Sequence, residues 1–136
     1  MAHTKFRAEV LTPEGEVFND EVELVSTKTA VGSIGILANH EPVLAMLDPT
    51  ELRLYKTESE VVRFAQAEGY MQMADNHLLI LVEEAIPPGD LDAGNLRERL
   101  QRAEQEVESA GDDTEKRRVA ERDKVRLEQF LNIAES

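Results

Sequence analysis

Apolar and polar residues alternate along Lys5-Phe6-Arg7-Ala8-Glu9-Val10, a period of two that predicts a half-buried β-strand. Pro13-Glu14-Gly15 reads as a turn. The alternation returns at Glu21-Val22-Glu23-Leu24 and at Thr50-Glu51-Leu52-Arg53-Leu54-Tyr55, where Leu52 and Leu54 share a face. It continues over 60–67, with Val62 beside Phe64, and then at Met71 and Met73. The apolar run Leu78-Leu79-Ile80-Leu81-Val82 predicts a strand covered on both faces. Short strands recurring every ~8–12 residues predict an antiparallel β-sandwich or barrel.

Past Pro87-Pro88-Gly89 the period changes to about 3.6. Leu96, Leu100, Ala103 and Val107 form one helical stripe. Asp90 or Asp92 can cap its start. The break Ser109-Ala110-Gly111-Asp112-Asp113 ends the helix, with Gly111 suited to a left-handed position and either Asp able to cap the next helix. Ala120, Leu127, Leu131 and Ala134 form a second stripe, with Val119 and Phe130 beside it. A short turn between two amphipathic helices predicts an antiparallel hairpin. Its stripes are narrow and rich in alanine, so the hairpin is expected to be marginally held and able to relocate. The organisation expected is α+β: a β-sandwich over 1–88, then a helical hairpin over 89–136.

Composition narrows the function classes. The 136 residues carry 15 Lys+Arg against 28 Asp+Glu and no cysteine, for a net charge of −13. Without cysteine there is no disulfide framework, thiolate metal site or Cys nucleophile. Such an acid excess argues against binding a phosphate backbone and against direct adhesion to anionic lipid. The first 89 residues carry 6 basic and 15 acidic side chains, and the remaining 47 carry 9 and 13. The excess therefore lies mainly on the β half. No apolar run approaches the ~20 residues of a membrane-spanning helix. The start, Met1-Ala2-His3-Thr4-Lys5-Phe6, lacks the apolar segment of a signal peptide, so a soluble intracellular protein is expected.

Candidate chemistry is sparse. His3, His40 and His77 stand far apart, with no metal-ligand spacing. Ser33, His40 and Asp48 could be written as a triad, but no nucleophile elbow supports it. Glu83-Glu84 and Asp112-Asp113 read as solvated ends of elements rather than an acid/base pair. The unusual stretch is Gly32-Ser33-Ile34-Gly35-Ile36-Leu37-Ala38-Asn39-His40-Glu41-Pro42-Val43-Leu44. Its two glycines lack the following Lys-Ser/Thr and helix of a nucleotide loop. Two readings stay open: a tight turn into a strand with a loop fixed by Pro42, or a partner-contact loop centred on Asn39-His40-Glu41.

That stretch resembles the G-x-x-G-I-L/Y-x-x-H-x-P-L/V-L signature of the epsilon subunit of F-type ATP synthases, called delta in mitochondria. The segment from Phe6 to Leu11 with Pro13-Glu14-Gly15 is similar to the family's first strand and turn. Ala67-Glu68-Gly69-Tyr70 falls at its G-G-F/I strand start, and the segment from Leu78 to Ala85 at its V-T-I-L-x-x-x-A strand. The resemblance implies about ten short strands and a two-helix C-terminal domain in a non-catalytic subunit of the central stalk. It implies that the sandwich grips the gamma subunit and rests on polar loops of the membrane c-ring. Gly32, Ser33, Ile34, Asn39, His40, Glu41 and Pro42 match the contact region, with Ser33 where several relatives carry an acid.

The hairpin is, by the same resemblance, regulatory. It either folds down against the sandwich or extends along gamma toward the alpha/beta catalytic subunits and blocks ATP hydrolysis, with Arg117, Arg118, Arg122 and Arg126 as contact candidates in the extended state. Some relatives bind ATP through I/L-D-x-x-R-A. Here Asp92 is kept, but Asn95 and Leu96 stand at the Arg-Ala positions. On the second helix Arg126 matches one family arginine, and Phe130 replaces another. A neutral Asn lacks the guanidinium fork that phosphate selects, so ATP binding is expected to be weak or absent. No other cofactor or metal is implied. The implied location is peripheral, at the bacterial cytoplasmic face of the plasma membrane, held through the complex. The rival readings are a free-standing β-sandwich ligand-binding module with a helical oligomerisation tail, and a small hydrolase using His40.

Overall fold

The computed structural model describes residues 3–136, so the reading of the chain's start lies partly outside the described residues, at Met1 and Ala2. The chain forms two compact units divided between Pro87 and Pro88. The first unit holds ten strands: β1 (Phe6–Thr12), β2 (Gly15–Val22), β3 (Leu24–Thr29), β4 (Gly32–Leu37), β5 (Val43–Leu47), β6 (Thr50–Tyr55), β7 (Val61–Gln66), β8 (Gly69–Ala74), β9 (His77–Val82) and β10 (Ala85–Ile86). The second holds a 3₁₀ turn at Pro88–Asp90 and helices α1 (Ala93–Ser109) and α2 (Thr114–Glu135).

β3 belongs to both layers of the sandwich. It pairs with β4 on one side over its whole length. On the other side Leu24, Val25 and Ser26 face β6, while Thr29 pairs with Leu47 of β5. One layer is therefore β4-β3-β6-β7-β10 and the other β5-β8-β9-β1-β2. Alternate residues turn inward, as period-two strands require. Val25, Ile36, Leu52, Leu54 and Phe64 of the first layer share the core with Val10, Val22, Met71, Met73, Leu78 and Ile80 of the second.

Two features depart from the sequence reading. The ladder between β1 and β9 is parallel, whereas the other ladders are antiparallel. These strands are not joined by a hairpin, so nothing in the connection forces them antiparallel. Nor is β9 covered on both faces. Leu78, Ile80 and Val82 are buried, but Leu79 is half-buried and Leu81 is 45% exposed.

A buried polar clasp ties the two layers at β3. Thr27 Oγ1 donates to Gln66 Oε1 at 2.6 Å, and Gln66 Nε2 donates to the Asp48 carbonyl at 3.0 Å. Gln66 is fully buried, so this satisfaction is what makes its burial tolerable.

Both helices begin on capping aspartates. Asp92 Oδ1 accepts the Asn95 N–H at 3.1 Å, and Asp113 Oδ1 accepts the Lys116 N–H at 3.0 Å. Each satisfies a donor that the first helical turn leaves unpaired. Gly111 has φ 57°, the left-handed value its position in the break calls for. Leu96, Ala103, Ala120, Leu127 and Phe130 are buried, while Leu100, Val107, Leu131 and Ala134 are half-buried. Phe130, placed beside the stripe in the sequence reading, is among the most completely buried side chains.

Candidate functional site

The outer face of the β5-β8-β9-β1 sheet carries an apolar row. Register aligns Met46 with Tyr70, Tyr70 with Leu81, and Leu81 with Leu11. Met46, Tyr70 and Leu81 are 60%, 52% and 45% exposed, and Leu44 in the next row is 73% exposed. That next row runs Leu44–Gln72–Leu79–Glu9. A lone exposed leucine carries no message, but a contiguous row of large apolar side chains marks a surface that excludes water when covered. A shallow hollow of about 330 Å³ lies at one end of the row, lined by Leu11, Pro13, Tyr70, Leu81 and Glu83 among others. Polar groups frame the opposite end, where His77 Nε2 stands 2.7 Å from Glu9 Oε1.

The sequence-predicted contact residues fall at the two ends of β4. Gly32 and Ser33 open the strand after the Ala30-Val31 turn. The turn is fixed by Thr29 Oγ1, which accepts the Val31 N–H at 3.2 Å and donates to the Gly32 carbonyl at 3.0 Å. Gly32 has φ 134°, accessible to few other residues. Val31 stands at the tip, 99% exposed. Ile34 points into the sandwich and packs against its core.

Asn39, His40, Glu41 and Pro42 form the loop after β4, a strand about 17 Å long at the usual rise. Ser33 and His40 are therefore held apart, and no triad with Asp48 is assembled. Asn39 takes φ 64°, and the β8–β9 turn residues Asp75 and Asn76 take 52° and 58°. The two asparagines clasp each other: the Asn39 N–H donates to Asn76 Oδ1, and Asn76 Nδ2 donates to Asn39 Oδ1 at 3.0 Å. His40 Nδ1 lies 2.7 Å from the Glu41 carbonyl. The loop is thus pinned, with Glu41 and Pro42 presented outward.

On the hairpin the four arginines differ in engagement. Arg117 donates to the Gly111 carbonyl at 3.1 Å. Arg118 grips Glu115 at 2.6 Å, and Arg122 lies 3.8 Å from Asp123. Arg126 lines an inter-helix cleft of about 230 Å³ with Arg99, Arg102, Glu106 and Asp123. Asp92 does not line it; seven helical residues separate Asp92 from Arg99, a rise of about 10 Å. The kept acid of the ATP motif instead caps α1.

Charged pairs set the electrostatics of the edges. Lys56 Nζ lies 3.0 Å from Asp20 Oδ2 and 3.5 Å from Glu60. The Lys56 hydrogen bond, helped by the Glu21 N–H, holds the Asp20 carboxyl below the usual carboxylate range, and Asp20 raises Lys56 in turn. Because the folded-state value is depressed, the contribution of this pair is present above the unfolded value and fades as pH falls through the folded one. An NMR titration should find the Asp20 midpoint below the ordinary aspartate value, and Lys56→Met should return it upward. Equal midpoints in both proteins would contradict the pairing. On α2, Arg118 lowers Glu115 in the same way.

Sequence reasoning named neither the apolar row nor the Gln66 clasp, and it gave Val31 and Asn76 no contact role. The segment Val43-Leu44-Ala45-Met46-Leu47 is apolar throughout, so its alternation is invisible until pairing shows which residues face out. Asp75-Asn76-His77 is a turn signal in the sequence, but nothing local to it points to the loop that Asn76 holds.

Comparison with known proteins accounts for this arrangement. Residues 5–88 match the family described as ATP synthase, Delta/Epsilon chain, beta-sandwich domain. The ATP synthase epsilon chain of Rubrobacter xylanophilus is 33% identical over 130 residues, covering 92% of this chain and 88% of the relative. That of Sulfurihydrogenibium sp. is 32% identical over 129 residues, covering 95% and 96%. Among solved structures, a chain of the Euglena gracilis mitochondrial ATP synthase OSCP/F1/c-ring assembly superimposes with TM-score 0.75 at 22% identity, over 93% of this chain and 77% of that one. A chain of the Tetrahymena thermophila mitochondrial ATP synthase central stalk/c-ring gives 0.64 at 20% identity, over 98% and 99%. The fold thus recurs at low identity, and the matched family domain spans all ten strands. This chain belongs to the ATP synthase delta/epsilon chain family, as an epsilon-type accessory subunit rather than a catalytic one.

Proposed function

We propose that this chain couples rotation in the central stalk of an F-type ATP synthase and restrains ATP hydrolysis through its hairpin. The observation that carries the reading is the exposed row Met46–Tyr70–Leu81 with Leu44. A face of this kind is stable in water only at a cost that a permanent partner removes. We assign it to the gamma subunit. The pinned turn and loop at Val31, Gly32, Ser33 and Asn39–Pro42 then serve the polar loops of the c-ring and the flank of gamma. Rigid loops suit that task, because torque is transmitted only by contacts that do not yield. The acid excess of the β half favours basic loops as neighbours. Arg117, Arg118 and Arg122 lie on the exposed side of α2 and suit acidic surfaces of the alpha/beta subunits when the hairpin extends. The resulting location is peripheral, at the bacterial cytoplasmic face of the plasma membrane. Among the described residues, no helix is long and apolar enough to cross a membrane. The core of the sandwich is filled by side chains, which gives the ligand-binding alternative no interior site.

Truncation after Gly89 tests the division of labour. The shortened chain should fold, bind gamma and enter the complex, with ATP hydrolysis unchanged or raised. Loss of gamma binding would refute the assignment of docking to the sandwich. ATP should bind weakly or not at all. Asn95 offers no cation, and Phe130 is buried where an arginine would be needed. Calorimetry on the isolated chain should find no tight saturable site, and a micromolar one would overturn this expectation.

A further inference from the structure

We propose that Met46, at the β5 end of the docking row, is oxidation-sensitive in the unassembled chain, where conversion to the sulfoxide by a hydroperoxide weakens subsequent attachment to the gamma subunit. The inference rests on the reading of that face given above.

The methionines of the sandwich are sharply divided by burial. Met71 and Met73 are 1% exposed on the inner side of β8, whereas Met46 is 60% exposed on the outer side of β5. Oxidation requires the sulfur lone pair to meet the peroxide in solvent, so access selects Met46. The sulfur attacks one peroxide oxygen; the O–O bond breaks as the S–O bond forms. The departing oxygen takes a proton and leaves as water or an alcohol. Sulfur is oxidised by two electrons and the peroxide is reduced by the same two.

Place gives this chemistry its consequence. Met46 pairs with Tyr70, beyond which lies Leu81, and Leu44 is its same-face neighbour along β5. A thioether there is a flexible apolar filler that also suits an aromatic neighbour. A sulfoxide is a strong acceptor that is hydrated in the free chain. Covering it with an apolar partner strips that water, and Leu44 and Leu81 supply no donor in return. Lesions of this kind are reversible by sulfoxide reductases, so attachment would recover on reduction.

The full-length chain should be treated with hydrogen peroxide, mapped by peptide mass, and titrated against the gamma subunit of the same complex. Met46 should gain one oxygen before Met71 or Met73, and affinity should fall about tenfold. Met46→Leu should keep its affinity through the same treatment, and Met46→Gln should bind weakly without any peroxide. Oxidation of Met71 or Met73 first, or unchanged affinity once Met46 is fully oxidised, would overturn the proposal. Untreated Leu44→Glu and Leu81→Glu separate the two levels. If both bind gamma as the wild type does, the docking reading has failed, whatever the mass map says. If both bind weakly while the oxidised chain binds normally, only the oxidation proposal has failed.

Discussion

Gly69→Ala should destabilise the sandwich by about 1–3 kcal/mol, the usual cost of forcing atoms into a closely packed interior. A Cβ on Gly69 would sit 2.0 Å from the Leu81 carbonyl oxygen and 2.7 Å from the Val82 Cα. Both are backbone atoms of β9, and no rotamer change relieves either contact. Gly69 pairs with Val82 on one side and with Leu47 on the other, so β8 cannot shift away without disturbing two ladders. Gly35→Ala is the matched control. Its Cβ would meet Leu24 Cδ1 at 3.6 Å, an ordinary contact, and a change within about 1 kcal/mol is expected. Urea unfolding should show a large fall in midpoint for the first variant and a small one for the second. Equal midpoints for Gly69→Ala and the wild type would mean that the close approach of β8 and β9 is not maintained in solution. The variant also bears on docking, since Tyr70 follows directly and anchors the apolar row. Its affinity for gamma should drop with its stability.

How much of this was legible in the sequence depended on where period and burial coincide. β1 and β6 alternate cleanly, and the inward residues of β6 and β7 were correctly read as Leu52 with Leu54 and Val62 with Phe64. β5 and β9 are apolar on both faces, so periodicity is silent there, and these two strands, which flank Tyr70 of β8 in the apolar row, were the ones least readable. The expectation that the run 78–82 is covered on both faces followed from composition alone. The exposed Leu81 shows that the outer face of β9 has no second layer over it, the face that the proposed docking of gamma would cover. The parallel ladder of β1 with β9 joins residues about 70 apart in sequence and leaves no local trace. The hairpin was readable in detail, because capping and left-handed termination are local chemistry. Asp92, Gly111 and Asp113 lie where their side chains and conformations demand. The signature glycines and the Asn39–Pro42 loop were found as a motif, but only the pairing pattern placed them at opposite ends of one strand.

Phe130→Ala should loosen the hairpin while leaving the sandwich folded. Few side chains of α1 and α2 are fully buried: two leucines, Leu96 and Leu127, and two alanines, Ala103 and Ala120, accompany Phe130. Emptying the site of a buried aromatic costs about 3–5 kcal/mol, and so small a set of buried groups has little to spare. Amide hydrogen exchange should accelerate by at least about a hundredfold across 93–135, since roughly 1.4 kcal/mol corresponds to each factor of ten, and exchange in β1, β8 and β9 should change little. Unchanged protection in the helices would show that Phe130 does not hold them. The substitution also distinguishes two ways of fastening this element. The family resemblance implies that some relatives fasten the folded hairpin with ATP held by arginines. Here one such position is an aromatic buried to 1%, and an arginine in its place would bring an uncompensated charge into an apolar site. If, as proposed, packing rather than a nucleotide fastens this hairpin, ATP should not restore slow exchange to the Phe130→Ala chain. Release of this hairpin would then answer to contacts with the rest of the complex rather than to the nucleotide concentration.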